Sequence, residues 1–244
     1  MANGFDPRAT ASPQPTTVGR DSVAFDAGLR SHMLSVYNYM ASGVLLTGIV
    51  AMLFATSGLA QQIFFNGGIL KYVVIFSPLL MIFLLAAKMN SMSTGGLQIF
   101  YWTFATLMGV SMSVIPLIYT GTSIAATFFA TSAAFVSLSL WGYTTKKDLS
   151  GFGTFLIMGL VGLIVAMIAN VFIRSDTMSM VISFIGVLLF AGLTAYDTQK
   201  IKSVYFQVAG SDMLGKAAIL GALTLYLDFI NMFQFLLSFM GSRD

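Results

Sequence analysis

Seven long, predominantly apolar runs dominate this sequence, and they limit what the chain can fold into. They cover residues 36–57, 69–87, 97–119, 122–143, 152–173, 178–199 and 217–240. A helical bilayer crossing needs about 20 apolar residues, so each run is long enough to span a membrane. Barrel strands would instead alternate apolar and polar residues over about ten positions, and these runs do not alternate. The sequence therefore predicts an all-α integral membrane protein, a bundle of seven transmembrane helices.

The composition excludes a soluble catalytic domain. Of the 244 residues, 57% are hydrophobic and 9% are charged, whereas a soluble domain carries about 25% charged residues. The chain has no cysteine, which excludes disulfides, thiolate metal sites and cysteine nucleophiles. The net charge of +3 comes from bases scattered between the apolar runs. This pattern argues against nucleic acid as a partner and favours the lipid bilayer as the surroundings of the chain.

The polar amino-terminal segment and the distribution of bases predict the domain organisation and the orientation. Residues 1–25 are rich in Pro, Ser and Thr, which predicts a disordered cytoplasmic tail before a seven-helix domain over residues 26–244. With the amino terminus inside, nine of the twelve Lys and Arg residues face the cytoplasm, and only Lys71, Arg174 and Arg243 lie outside. Cytoplasmic loops carry such an excess of bases. We therefore predict a cytoplasmic amino terminus.

Two aspartates lie within the apolar runs. Asp228 is deep in the seventh run, and Asp197 lies about one turn inside the cytoplasmic end of the sixth run. A carboxylate at mid-bilayer costs several kcal/mol unless it is paired, hydrated or protonated, so such residues mark functional sites. For Asp228 this favours a functional role. Asp197 has an equally good alternative, an interfacial acid neutralised by Lys200 or Lys202.

The two aspartates are placed to form a pair. Consecutive antiparallel helices carry them, and their depths differ by only about 6 Å at a rise of about 1.5 Å per residue, which helix tilt absorbs. Like-charge repulsion and desolvation then favour one shared proton, which makes the pair a pH sensor. Carboxylate oxygens also suit Ca²⁺, but two carboxylates supply too few of the six to eight ligands of a tight site. We expect weak, transient calcium binding and no resident cofactor.

Three further polar residues have positions in the sequence that suggest a role. Thr224 and Asn231 stand four residues before and three residues after Asp228, so they share its helix face and are candidate hydrogen-bond partners. The single histidine, His32, precedes the first apolar run beside Arg30. At that position we predict an anchor to lipid headgroups rather than a proton sensor.

Four short motifs together indicate a family. They are residues 29–33 (LRSHM) with 36–40 (VYNYM), 146–150 (KKDLS), 196–201 (YDTQKI) and 225–231 (LYLDFIN). In this order, and over about residues 29–241, they resemble the bacterial branch of the Bax inhibitor-1 family. The last two motifs, which contain the aspartates, are the most specific.

The resemblance implies a fold, a function and a location. It implies seven helices with the last helix central, and a pH-sensitive calcium leak governed by a di-aspartyl pair that maps onto Asp197 and Asp228. Members of the calcium-leak type also use an Arg near the end of the second span as a partner of the acids, where this chain has Lys88. Opening is then expected to rearrange the second and seventh helices. Some bacterial relatives instead modulate an inner-membrane AAA protease. A regulatory membrane protein of the inner membrane that transports nothing is therefore the alternative.

An intramembrane aspartic protease is the enzymatic alternative, since such proteases also pair aspartates from consecutive helices. Their second helix carries a Gly-x-Gly-Asp motif that admits the substrate backbone. Here the bulky residues Leu225, Tyr226 and Leu227 precede Asp228. We therefore predict that the protein is not an enzyme.

Overall fold

The computed structural model describes residues 17–89 and 91–243, and the seven apolar runs become seven long helices. They are α1 (Thr17–Thr56), α2 (Leu70–Lys88), α3 (Thr94–Met112), α4 (Gly121–Thr144), α5 (Ser150–Ile173), α6 (Asp176–Val208) and α7 (Leu214–Met240). Short helical turns over Leu59–Gln61, Gln62–Asn66 and Ile115–Leu117 lie between them. Each of the seven contains a stretch long and apolar enough to cross a bilayer. The prediction of an all-α membrane bundle with seven spans is confirmed.

Two helix boundaries differ from those expected. Helix α1 begins at Thr17, within the predicted tail of residues 1–25, while residues 1–16 lie outside the described residues and their disorder stays a prediction. Helix α6 continues to Val208, beyond the apolar run that ends at residue 199. Asp197 therefore lies 11 residues before the helix end, about 16 Å at the usual rise, rather than one turn before it.

Hydroxyl side chains begin three of the helices. A serine or threonine at the N-cap accepts a hydrogen bond from a backbone N–H that has no partner in the first turn. The pairs are Ser93 with Gly96, Thr120 with Ser123, and Ser175 with Met178. The connections before these helices are short, so the consecutive spans run antiparallel.

Helix α7 forms the centre of the bundle. It packs against α1, α3, α4 and α6, whereas α2 packs chiefly on α3 and α5 on α6. In the most apolar window of α7, 61% of the residues are buried, against 11% in α2 and in α5. The central position that the resemblance implied for the last helix is confirmed.

The end of the chain after α7 is attached to the connection between α3 and α4. The Thr120 N–H donates to the Ser242 carbonyl at 3.2 Å, and the Ser242 N–H donates to the Ser123 Oγ at 2.9 Å. The Arg243 guanidinium lies 5.7 Å from the centre of the Tyr119 ring. These contacts hold the carboxyl-terminal end of α7 against neighbouring helices.

Glycines bring α4 and α5 close to α6 beside Asp197. A Cβ on Gly142 of α4 would lie 2.2 Å from the Ala195 carbonyl oxygen, and one on Gly153 of α5 would lie 2.3 Å from the Tyr196 ring. Small residues allow this approach because they leave room for the backbone of the neighbouring helix. The two contacts clamp the turn of α6 that precedes Asp197.

We predict that Gly142→Ala destabilises the protein by about 1–3 kcal/mol, because the added Cβ meets backbone that must shift with the whole of α6. Gly162→Ala in α5 is the matched control, since its Cβ meets nothing within 4 Å. We expect that control to change stability by less than about 1 kcal/mol. Thermal unfolding in detergent measures both, and equal midpoints for the two variants would contradict the close contact between α4 and α6.

Candidate functional site: a buried aspartate pair

Asp197 and Asp228 meet in the interior of the bundle. Their side chains are 8% and 4% exposed, and the two carboxyl groups lie within hydrogen-bonding reach of each other. Asp197 lies 11 residues before the end of α6, and Asp228 lies 14 residues after the start of α7. At about 1.5 Å per residue these depths differ by about 5 Å. The pairing expected from the sequence is therefore present in the structure.

The chemistry of the pair requires a proton. The Asp228 Oδ2 is buried and has no hydrogen-bond donor among the described residues. Two ionised carboxylates contain acceptors only, so nothing in such a pair could donate. A single proton supplies the missing donor and removes one of two like charges from a buried site. The geometry thus favours one shared proton.

The lysines that follow Asp197 have different surroundings. Lys200, one turn further along α6, is exposed and interacts electrostatically with Asp197. Lys202 instead donates from Nζ to the Tyr143 carbonyl at 3.0 Å, with its ammonium 5.1 Å from the centre of the Tyr143 ring. Asp197 is thus buried beside a second acid rather than exposed at a helix end, and Lys200 is the cation that acts on it.

The structure does not bring the supporting candidates to the pair. The Thr224 hydroxyl donates to the Leu220 carbonyl at 3.1 Å, and the Asn231 Nδ2 donates to the Leu227 carbonyl at 2.8 Å. Both therefore bond to their own helix rather than to Asp228. Lys88 is exposed in the last turn of α2, and it is absent from the groups that act on either aspartate.

Gln199 connects two of the sequence motifs, which the sequence alone did not reveal. Its Nε2 donates to the Lys147 carbonyl at 2.8 Å, and its Oε1 accepts from the Leu149 N–H at 2.8 Å. Between these two residues, Asp148 accepts from the hydroxyl and the N–H of Ser150, and these bonds lower the pKa of its carboxyl group. The motif at 146–150 therefore attaches the connection between α4 and α5 to the helix that carries Asp197.

A chain of hydroxyl groups crosses from α1 to α6 beside Asp197. The Tyr37 and Ser139 hydroxyls lie 2.6 Å apart, and Ser139 lies 2.8 Å from the Thr198 hydroxyl. Thr198 in turn donates to the Thr194 carbonyl at 2.7 Å. The contributing residues come from three separate helices, so no local sequence pattern indicates this chain. It fixes the helix position next to Asp197 through specific polar contacts.

Tyr226 attaches α7 to α1 and α3 two residues before Asp228. Its hydroxyl lies 2.6 Å from that of Thr47, which also bonds to the Ala105 carbonyl at 2.9 Å. Tyr226 is fully buried. Hydrogen bonds of this kind between membrane helices restrict helix rotation because no water is present to replace them. The orientation of Asp228 toward α6 depends on them.

His32 is buried, so its predicted role as a headgroup anchor is wrong. It is 5% exposed, and its ring centre lies 5.3 Å from that of Tyr205 in α6. Helices α1 and α6 are close here, since a Cβ on Gly28 would lie 2.2 Å from the Tyr205 hydroxyl. The prediction failed because the interface between α1 and α6, rather than the start of the apolar run, determines the surroundings of His32.

The described residues include no cluster of three or more His, Cys, Asp or Glu side chains. Among the described residues, Asp197 and Asp228 are the buried carboxyl groups that could contact a cation inside the membrane domain. Two carboxylates lack the ligand number of a storage site for Ca²⁺. What the arrangement offers chemically is a proton-binding pair with weak affinity for a passing cation.

Comparison with known proteins gives matches along nearly the whole chain. The family model described as "Inhibitor of apoptosis-promoting Bax1" matches residues 29–244. "Uncharacterized protein RP147" of Rickettsia prowazekii is 46% identical over 232 residues, covering 93% of this chain and 96% of the relative. "Inner membrane protein YbhL" of Escherichia coli K12 is 42% identical over 219 residues, covering 89% and 94%. The similarity therefore includes both aspartate-bearing helices.

We predict that the pair holds one proton at neutral pH, because that proton supplies the donor that Asp228 otherwise lacks. Infrared spectra of the purified protein should then contain the carbonyl band of a protonated carboxyl group. The double variant Asp197→Asn with Asp228→Asn should lose the band, whereas Asp212→Asn, at an exposed aspartate between α6 and α7, should keep it. A wild-type spectrum without the band, or a double variant that retains it, would contradict the shared proton.

Proposed function

Because this chain belongs to the Bax inhibitor-1 family, we propose that it is a pH-sensitive calcium leak pathway, gated by the pair Asp197 and Asp228. The observation that carries the proposal is the burial of two carboxyl groups against each other on consecutive helices. Calcium is the permeant substrate of this pathway rather than a cofactor. The name of the relative in Escherichia coli supports a position in the bacterial inner membrane.

The gate is an equilibrium between two arrangements of α6 and α7. With one proton on the pair, a charge-assisted hydrogen bond joins the helices, and Lys200 attracts the remaining charge. A second proton at acid pH neutralises the pair, which weakens the hydrogen bond by removing its charge and abolishes the attraction of Lys200. The closed arrangement then loses stability relative to the open one. The leak therefore increases as the pH falls.

The helices that move differ from those suggested by the sequence. From the sequence alone, opening would separate the second and seventh spans, with Lys88 as a partner of the acids. Helix α2 packs chiefly on α3, and Lys88 is exposed. We therefore assign the gate to the contact between α6 and α7, whose packing is the most extensive in the bundle.

Calcium flux into liposomes that contain the purified protein tests this gate. Calcium entry in wild type should rise as the pH falls from about 8 to about 5, because the pair takes up its second proton. The double variant Asp197→Asn with Asp228→Asn should make the flux independent of pH, since neutral amides replace both titrating groups. A calcium-sensitive dye inside the liposomes measures the flux.

Asp212→Asn is the control for the flux experiment, since it removes an exposed carboxylate outside the pair. It should behave like wild type. Flux equal to that of empty liposomes at every pH would contradict the calcium leak function. The regulatory alternative, a membrane protein that modulates a membrane-bound AAA protease, would then remain. Deletion of residues 1–25 distinguishes the two roles. Loss of association with such a protease at unchanged flux would favour regulation, whereas loss of flux with association retained would favour a channel.

The orientation proposed for the chain, with a cytoplasmic amino terminus, has a direct test because wild type has no cysteine. Ser211→Cys, between α6 and α7, should lie in the cytoplasm, and Ser57→Cys, after α1, should lie on the opposite side. Both positions are exposed. A membrane-impermeant thiol reagent applied to intact cells should label Ser57→Cys alone, and the reverse pattern would invert the topology.

A further inference from the structure

A long groove runs along the outside of the bundle between α1 and α4. Its volume is about 1050 Å³, at the upper end of the range of about 300–1,000 Å³ that is typical of ligand pockets. Both helices pack on α7, and Phe229 of α7 contributes to the floor of the groove. The groove extends along α1 from Arg30 to Leu53 and along α4 from Phe128 to Tyr143.

The walls of the groove are apolar and face the bilayer. Leu45 and Leu53 of α1 are 64% and 62% exposed, and Val136 and Leu140 of α4 are 64% and 59% exposed. At this depth the surrounding medium is hydrocarbon rather than water. An open, mostly apolar groove between two spans is therefore suited to a lipid acyl chain.

One end of the groove is positively charged. Among the described residues that line it, Arg30 is the single charged one, and no carboxylate lines it. At the same end, Tyr143 lines the groove and holds the ammonium of Lys202 against its ring and its carbonyl. Arginine matches the geometry of a phosphate through two parallel hydrogen bonds. The charge at this end is complementary to an anionic headgroup.

We propose that the groove between α1 and α4 binds an anionic phospholipid, with an acyl chain along the groove and the phosphate at Arg30. Length, polarity and charge of the groove all correspond to this amphipathic ligand. The polar end coincides with the side where Arg30, Lys146 and Lys147 lie, which is the cytoplasmic side in the proposed topology. Anionic lipids of that leaflet attract basic residues near the membrane surface.

The test uses phosphatidylglycerol and phosphatidylcholine with identical acyl chains, titrated onto the purified full-length protein in detergent. Native mass spectrometry counts bound lipid, and thermal unfolding reports stabilisation by it. Wild type should bind phosphatidylglycerol more tightly than phosphatidylcholine. Arg30→Gln should weaken phosphatidylglycerol binding about five-fold, the effect of one lost attraction between a basic residue and an anionic headgroup. Lys146→Gln, an exposed base of the same side that does not line the groove, should leave binding unchanged.

A second pair of variants tests the apolar part of the site. Gly48 lines the groove, and a Cβ added there meets nothing within 4 Å, so Gly48→Leu should occupy the groove without disturbing packing. It should weaken binding of both lipids, whereas Gly162→Leu, at an equally open position on α5, should not. Equal affinity of wild type for the two lipids, or full binding by Gly48→Leu, would overturn the proposal. Detection of a dimer in the native mass spectrum of wild type, absent for Gly48→Leu, would also overturn the proposal, because a second protomer would then occupy the groove.

Discussion

Two carboxyl groups placed where water does not reach impose the central constraint on this molecule. Each would be costly alone in the bilayer, and together they repel unless a proton joins them. The surrounding structure holds this arrangement. Tyr226 orients α7 through Thr47, and glycines in α4 and α5 press on the turn of α6 that carries Asp197. The pair is thus held by contacts that come from four neighbouring helices.

The position of α7 at the centre explains how a local change of charge affects the whole bundle. Four of the other six spans contact this helix, so a small displacement of α7 alters several interfaces at once. Packed interiors respond to such displacements by switching between discrete arrangements rather than by deforming gradually. A proton-binding pair on α6 and α7, each of which packs on four other spans, is therefore well placed to influence the surface as well as the interior.

The fold and the aspartate pair were predictable because both follow from the lengths of the apolar runs and of the connections between them. Apolar length determines the spans, and short connections make consecutive helices neighbours. The remaining contacts depend on side chains from distant parts of the chain. Gln199 meets Lys147, and His32 meets Tyr205, and no local spacing indicates these partners. Thr224 and Asn231 were misjudged for a different reason, since an i−4 carbonyl competes with Asp228 for their donors.

The attachment of residues 242 and 243 to the connection between α3 and α4 makes the two ends of α7 unequal. One end is held by backbone hydrogen bonds, while the other follows a turn in which Gly210 has a φ of 77°. A rigid rod fixed at one end swings about that end. Asp228 lies 12 residues from Met240 and 14 from Leu214, near the midpoint of the rod. A rotation of α7 about its carboxyl-terminal end would therefore move the aspartate by roughly half the displacement of the amino-terminal end.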